Sequence, residues 1–230
     1  MVDRKIAHIL RGKVLVFVGF VGAGKTTLTS LMAYYLNHAN KVSAKRTYLK
    51  TIWIVTPLLL KLFGKVCNNI NALFKIHRFC VYVDLSLNVM GLPLLGLLRI
   101  RIPRRLGKVV LVEEYLPGIV VDYLHALKIL KLNREIILTL MKALYKALDT
   151  KNSIIIYLKA PLSSLPQRWV LRGDRRFERI TYLRVQSLVF DIWTKSFKSI
   201  EVITHKRAPL DVVQDIIKKF TSYEDRHNCS

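Results

Sequence analysis

The run Lys13 to Val18 (KVLVFV) leads without interruption into Gly19-Phe20-Val21-Gly22-Ala23-Gly24-Lys25-Thr26, and helix-spaced apolar residues follow at once. No other stretch restricts the fold as much. A short β-branched run ending in glycine reads as a buried parallel strand. The octapeptide fits GxxxxGK[ST] in the strand, loop and helix setting that this pattern needs. Gly19, Gly22 and Gly24 admit backbone torsions closed to other residues and let the main chain approach an anion, so that successive N–H groups point at one centre. The positive end of the following helix adds to that field. The anion this arrangement suits is the polyphosphate of ATP or GTP. Lys25 supplies a point charge for the β- and γ-phosphates, the Thr26 hydroxyl a ligand for Mg²⁺, and Thr27 a contact to the α-phosphate. Gly19, Gly22, Ala23, Gly24, Lys25, Thr26 and Thr27 are therefore the expected nucleotide-binding set, a nucleoside triphosphate the expected partner, and ATP with Mg²⁺ the expected cofactors.

The rest of the chain alternates between the same two periodicities. A helix is expected from Lys25 to about Asn37, with Leu28, Leu31, Met32, Tyr35 and Leu36 forming one apolar stripe. Strands are expected over Lys41–Leu49, Lys108–Val112, Ser153–Leu158 and Ser199–Thr204. Helices are expected over Ile119–Leu130, Asn133–Leu148, Pro161–Arg172, Glu178–Phe197 and Pro209–Phe220, with Asn133 as an N-cap. Strands alternating with helices predict an α/β fold: a parallel five-stranded sheet with helices on both faces. At 230 residues and 52% hydrophobic content, one domain spanning residues 1–230 is expected. Residues 51–98 break the alternation and read as an inserted, hydrophobic helical lobe: Ile52–Val66, Ile70–Phe79, and Val81–Leu98 with breaks at Gly91, Pro93 and Gly96. The last of these approaches a membrane span in length, but Asp84, Asn88 and the breaks argue against a lone spanning helix.

Two further groups suit phosphoryl chemistry. The third strand ends in Glu113 and Glu114, where an acid can hold Mg²⁺ or its waters beside the phosphates. Strand alternation sends the two to opposite sides, and Glu113 is the one expected to face the loop. Arg168, Arg172, Arg175, Arg176 and Arg179 then crowd into one short stretch, 168–179. Such a cluster repels itself unless an anion is near, and arginines on a mobile lid can spread over the oxygens of a moving phosphoryl group. Lys25, Arg168, Arg172 and Arg176 are the expected catalytic cations. A basic surface helix balanced by Asp174 and Glu178 is the alternative.

Charge narrows the partners without choosing one. Thirty-eight Lys and Arg residues against 15 acids give a formal charge of +23, which favours nucleotides, nucleic acid or acidic lipid, or else a basic surface spread over solvated faces. Nucleic acid ranks last, since no aromatic-basic reader motif is visible. Cys67, Cys80 and Cys229 show no CxxC pairing and no histidine at ligand spacing, so zinc is disfavoured and a reducing cytoplasm fits; a Cys67–Cys80 disulfide stays open as the less favoured option. The opening Met-Val-Asp-Arg-Lys-Ile-Ala-His fits no cleavable secretory signal. The expected location is cytoplasmic, with peripheral contact to a membrane through TIWIVTPLLLKLF and LNVMGLPLLGLL set against packing of both into the core. A homodimer stays open.

Taken together these segments resemble the thymidylate kinase family of nucleoside monophosphate kinases. VLVFVGFVGAGKTTLTSLMAYYL is similar to that family's first strand, phosphate loop and helix; Ile102, Pro103, Leu106, Gly107 and Lys108 with the strand to Tyr115 are similar to the approach to its Asp-Arg-Tyr element. YLKAPLSSLPQRWVLRGDRRFER resembles its fourth strand and arginine lid, and VITHKRAPLDVVQDIIKKF its last strand and helix. The resemblance implies an ATP-dependent phosphotransferase acting on a small phosphorylated acceptor such as a nucleoside monophosphate, with Tyr115 and Asp122 lining the acceptor cavity. The departures fall on the acceptor side. Val21 stands where the family usually carries an acid, Glu113-Glu114-Tyr115 replaces Asp-Arg-Tyr, and residues 51–98 offer only Arg78, Arg99 and Arg101 at their ends for gripping an acceptor.

Overall fold

A computed structural model describes residues 9–38, 42–63, 69–148, 153–171, 180–197 and 199–228. The elements in chain order are β1 (Val14–Gly19), α1 (Lys25–His38), β2 (Ala44–Leu49), α2 (Val55–Phe63), α3 (Ile70–Gly96), β3 (Val109–Glu114), α5 (Tyr115–Leu130), α6 (Arg134–Ala147), β4 (Ser153–Lys159), α7 (Leu165–Leu171), α8 (Ile180–Ser196), β5 (Ser199–Ile203) and α9 (Pro209–Asn228). A π-helical turn, Leu97–Arg101, joins α3 to a short α4 (Ile102–Arg105). All five strands are parallel, in the order β2-β3-β1-β4-β5. The sheet expected from the alternation is present, with helices on both of its faces.

The two faces follow from strand alternation. Every residue of β1 is buried, yet Leu15 and Phe17 belong to one core while Val14, Val16 and Val18 belong to the other. The first core packs against Leu28, Met32 and Leu36 of α1 and Val213, Ile216 and Phe220 of α9. The second packs against α3, α5, α6 and α8 through Leu85, Leu92, Ile119, Tyr123, Leu144 and Phe190. Because β1 lies at the centre, with β3 and β4 as its neighbours, the loop that follows it emerges in mid-sheet beside the C-terminal end of β3. In open parallel sheets that is where ligands bind.

The breaks expected at Gly91, Pro93 and Gly96 do not interrupt α3, which runs on as a single helix to Gly96 with Pro93 inside it. Tertiary packing overrides propensity here: Val81, Leu85 and Leu92 are buried against the sheet, and the Tyr123 hydroxyl donates to the Leu85 carbonyl at 2.8 Å. Gly96 is a point of close approach, since a Cβ there would sit 3.0 Å from Leu148 Cδ2. At its start the helix is capped by Asn69, whose side chain accepts from the Asn71 and Ala72 amides. Cys80 is a buried free thiol on α3; Cys67 and Cys229 lie outside the described residues.

Polar side chains of α3 hold α2 and the segment before it. Asp84 accepts from the amides of Ile54, Val55 and Thr56 at 2.8–3.0 Å, capping α2, and Asn88 bonds both the amide and the carbonyl of Ile52. No residue of α2 is buried, so this clamp does what an apolar stripe does elsewhere. Burial raises the Asp84 carboxyl, but its hydrogen bonds with Thr56, Val55 and Ile54 outweigh that and hold the group below the usual carboxylate range. Asp84→Ala is expected to cost about 2 kcal/mol in urea unfolding, as for loss of a strong N-cap. A carboxyl depressed on folding stabilises above its unfolded value near 4 and loses that contribution as the pH falls through the folded value. The gap between wild type and variant should therefore narrow only in acid.

Candidate functional site

The loop between β1 and α1 is shaped from outside as well as from within. Gly22 and Gly24 take φ values of 89° and 94°, and the Ala23 amide closes a turn onto the Phe20 carbonyl at 3.0 Å. Trp169 Nε1 of α7 donates to the Val21 carbonyl at 2.9 Å, and Arg168 Nη1 to the Gly22 carbonyl at 3.1 Å. These bonds tie the Val21 and Gly22 carbonyls to α7. A Cβ at residue 22 would meet Trp169 Nε1 at 3.0 Å, so the glycine is needed both for its torsion and for the indole. Arg168 continues to the Thr204 carbonyl at 2.8 Å and so ties the loop to the end of β5. Lys25 Nζ donates back to the carbonyls of Gly19 and Phe20 at 2.8 and 3.1 Å, which holds the ammonium group over the loop.

A cavity of about 730 Å³ opens above this loop, lined by residues 22–27, by Glu113 and Glu114, and by Arg168, Thr204 and Arg207. That volume suits a nucleoside triphosphate. Glu113 accepts from the Thr26 hydroxyl at 2.7 Å and from the buried Thr29 hydroxyl at 2.8 Å, and Arg46 stands 3.6 Å from it while also reaching the Ser30 hydroxyl. A hydroxyl and a carboxylate paired in this way are hard oxygen donors beside the phosphate loop, a set that fits Mg²⁺. Among the described residues no cluster of three or more His, Cys, Asp or Glu side chains offers another metal site.

The alternation argument for Glu113 and Glu114 fails at the strand end. Both carboxylate residues line the cavity, because Glu114 leaves the extended conformation at φ 74° and ψ −71°, and Tyr115 follows at φ 55°. The chain turns abruptly into α5, which begins at Tyr115, four residues earlier than the apolar spacing suggested. Non-glycine residues in such torsions are strained, and strain of this kind gathers at functional sites.

A second cavity of about 570 Å³ adjoins the first. Tyr48, Lys50, Trp53, Arg99, Asp122 and Tyr182 form much of its wall, and Val21 and Glu114 belong to both cavities. Lys50 and Arg99 lie 5.7 and 5.6 Å from the centre of the Tyr48 ring, and the Tyr182 hydroxyl donates to Asp122 at 2.9 Å. Asp122 lines this cavity, whereas Tyr115, the other residue expected beside an acceptor, is buried in the core beneath α3 and α4. Of the three arginines at the ends of the lobe, only Arg99 lines the second cavity; Arg78 bonds the Lys131 carbonyl and Arg101 that of Ala147.

The arrangement matches solved structures over nearly the whole chain. Deoxyadenosine kinase from M. mycoides, solved with the products dCMP and a flexible dCDP bound, superposes with a TM-score of 0.58 at 12% identity, covering 91% of this chain and 99% of that one. The chain shares that protein's α/β fold, a five-stranded parallel sheet with a phosphate loop after its first strand. Thymidylate kinase from Ehrlichia chaffeensis gives a TM-score of 0.49 at 14% identity, covering 91% and 98% of the two chains. No family model and no curated protein matches the sequence. Within this fold Gly19 stands behind the phosphate loop, Gly22, Ala23, Gly24, Lys25, Thr26 and Thr27 face the first cavity, and Arg168 reaches it from α7. Arg172, Arg175, Arg176 and Arg179 lie outside the described residues. Sequence reasoning missed Trp169, Arg46 and Thr204 around the loop and Tyr48, Lys50, Trp53 and Tyr182 in the second cavity, since none belongs to a spaced motif.

Proposed function

We propose that this chain is an ATP-dependent phosphotransferase that moves the γ-phosphoryl group to a small acceptor of the nucleoside or nucleoside monophosphate class. The observation that carries the reading is the junction of the two cavities at Val21 and Glu114, one walled by a phosphate loop and the other by aromatic rings. The amides of residues 22–27 bind the polyphosphate. Lys25 leaves the carbonyls of Gly19 and Phe20 for the β- and γ-oxygens, while Arg168, joined by Arg172 and Arg176, supplies charge around the group in transfer. Thr26 and Glu113 would hold Mg²⁺, which supplies further neutralisation of the phosphate oxygens. The named neighbour, a deoxyadenosine kinase, supports an acceptor of this class. The direct test is ADP formation from ATP with a panel of nucleosides and their monophosphates, measured against Lys25→Ala. A rate at the variant's level with every acceptor rejects the phosphotransferase reading.

A second reading concerns where the enzyme sits. Asp84 is the sole acid between residues 4 and 112, and its carboxylate is spent on α2. Over the same stretch Leu58, Leu62 and Phe63 of α2 and Leu87, Met90 and Leu94 of α3 are exposed, and the helix spanning Ile70–Arg105 carries a window of mean hydropathy 1.6 of which only 33% is buried. An apolar face within so basic a region complements an anionic bilayer, into which it would dip without spanning. We propose such peripheral contact. The protein should sediment with phosphatidylserine vesicles but weakly with phosphatidylcholine, lose binding as salt is raised, and lose it in Met90→Glu/Leu94→Glu. Absence of sedimentation with the anionic vesicles rejects the proposal, and a doubled mass in light scattering that the same double variant abolishes assigns the face to a second copy instead.

A further inference from the structure

We infer that Glu114 is the general base of the transfer and that the acceptor is a neutral ring-bearing alcohol, of the nucleoside class, rather than a phosphate monoester. The inference rests on the phosphotransferase reading and sharpens its acceptor. Glu114 is a half-buried residue that lines both cavities, and on the phosphotransferase reading their junction is where an incoming nucleophile meets the γ-phosphoryl group. Its neighbour Glu113 is committed to Thr26, Thr29 and Arg46, and Asp122 accepts from Tyr182. Among the described residues the Glu114 carboxylate has no hydrogen bond or ion pair, which leaves it open to a substrate.

The backbone is built to keep it there. The torsions of φ 74° at Glu114 and 55° at Tyr115 abandon the strand alternation that would carry the side chain to the far side of the sheet. Gly118, one turn into α5, leaves the room required, since a Cβ at that position would stand 3.1 Å from Glu114 Cβ.

Charge decides the acceptor. A phosphate monoester placed at this junction would bring its negative charge against a carboxylate with no cation bound to it. The cations of the second cavity, Lys50 and Arg99, both sit against the Tyr48 ring, and the acids Glu114 and Asp122 match them in number. A cavity with balanced charge and walls of Tyr48, Trp53 and Tyr182 suits a flat, uncharged ring. A hydroxyl carried on that ring must shed a proton as it attacks, and a free carboxylate within the junction can take it. The step balances without another reactant. The acceptor oxygen forms a bond to the γ-phosphorus, the bond from that phosphorus to the β,γ-bridging oxygen breaks, ADP leaves, and the hydroxyl proton passes to Glu114 and on to water.

The test measures three proteins side by side: wild type, Glu114→Gln and Glu114→Arg. ATP affinity is read by calorimetry and ADP formation with nucleosides and with their 5′-monophosphates. Wild type should turn over nucleosides and leave the monophosphates at background. Glu114→Gln should lower kcat by about 10²- to 10⁴-fold with KM and ATP affinity within about threefold, the signature of a lost base. Glu114→Arg should lose nucleoside turnover and gain affinity for a monophosphate. Turnover of monophosphates in preference to nucleosides by wild type, or nucleoside kcat within about threefold of wild type in Glu114→Gln, overturns the assignment. So does ATP binding by wild type with no turnover of any nucleoside. Failure of wild type to bind ATP removes the phosphotransferase reading itself, and the calorimetry tells the two failures apart.

Discussion

Lys25→Ala is expected to leave a folded protein that binds ATP poorly and transfers its γ-phosphoryl group at least about 10²- to 10³-fold more slowly. Lys25 opens α1, and its ammonium group is held 2.8 Å from the Gly19 carbonyl and 3.1 Å from that of Phe20. These carbonyls are weak partners compared with phosphate oxygens, so little is lost by exchanging them and more is gained from a charged partner. A cation that binds more tightly as charge moves onto the bridging oxygen lowers the barrier as well as the dissociation constant, and each tenfold in rate corresponds to about 1.4 kcal/mol. The side chain is only partly buried, so its removal should change unfolding free energy by less than about 1 kcal/mol. Calorimetry with ATP and Mg²⁺, urea unfolding and ADP formation on the same sample make the check. Wild-type affinity and rate in the variant would show that the loop does not act as a phosphate cradle.

How much of this was readable beforehand depends on the distance over which each feature is encoded. The phosphate loop is local: eight consecutive residues fix the torsions, the amides and the cation, so Gly22 to Thr27 were placed from sequence and all line one cavity. The sheet was readable for a related reason. Strands buried on both faces need continuous apolar runs, and VLVFVG and SIIIYLK satisfy that need whatever surrounds them. Single residues whose meaning depends on a distant partner were not readable. Pro93 and Gly91 signal a break, yet Leu85 and Leu92 bury enough apolar surface against the sheet to carry the helix through them. Glu114 follows Glu113 in a strand, and period-two alternation separates them until a pair of positive φ values reunites them.

The second cavity was the least legible part, and the cause is topological. Its walls come from β2, the segment before α2, the π-turn after α3, the end of β3, α5 and α8, so Tyr48, Trp53, Arg99 and Tyr182 share no spacing in the sequence. The resemblance to nucleotide kinases directed attention to Arg78 and Arg101, which the structure spends on the carbonyls of Lys131 and Ala147. It also directed attention to Tyr115, whose burial follows from the abrupt entry into α5. A local motif can stand opposite a wall built from positions scattered along the chain, and only the fold brings those positions together.

Gly19→Ala is expected to damage fold and site together, which separates it from Lys25→Ala. A Cβ at residue 19 would stand 2.7 Å from the Leu158 carbonyl oxygen, 3.1 Å from Leu158 Cβ and 3.2 Å from Ala23 Cβ. The first obstacle is backbone of β4, the strand paired with β1 through Gly19 and Leu158, so it cannot rotate aside as a side chain end would. Relief requires β1 and β4 to part at their C-terminal ends or the loop to lift, and overpacking of a close-packed interior commonly costs 1–3 kcal/mol before the loop's own torsions are disturbed. A loss of about 3 kcal/mol in urea unfolding is expected, together with a fall in ATP affinity, because the Gly19 carbonyl that orients Lys25 moves with the loop. The contrast between the variants carries the information. Lys25→Ala should remove binding while stability stays, whereas Gly19→Ala should lower both, and a Gly19→Ala protein with wild-type stability would mean that β1 and β4 do not meet at Gly19 and Leu158 with the spacing described.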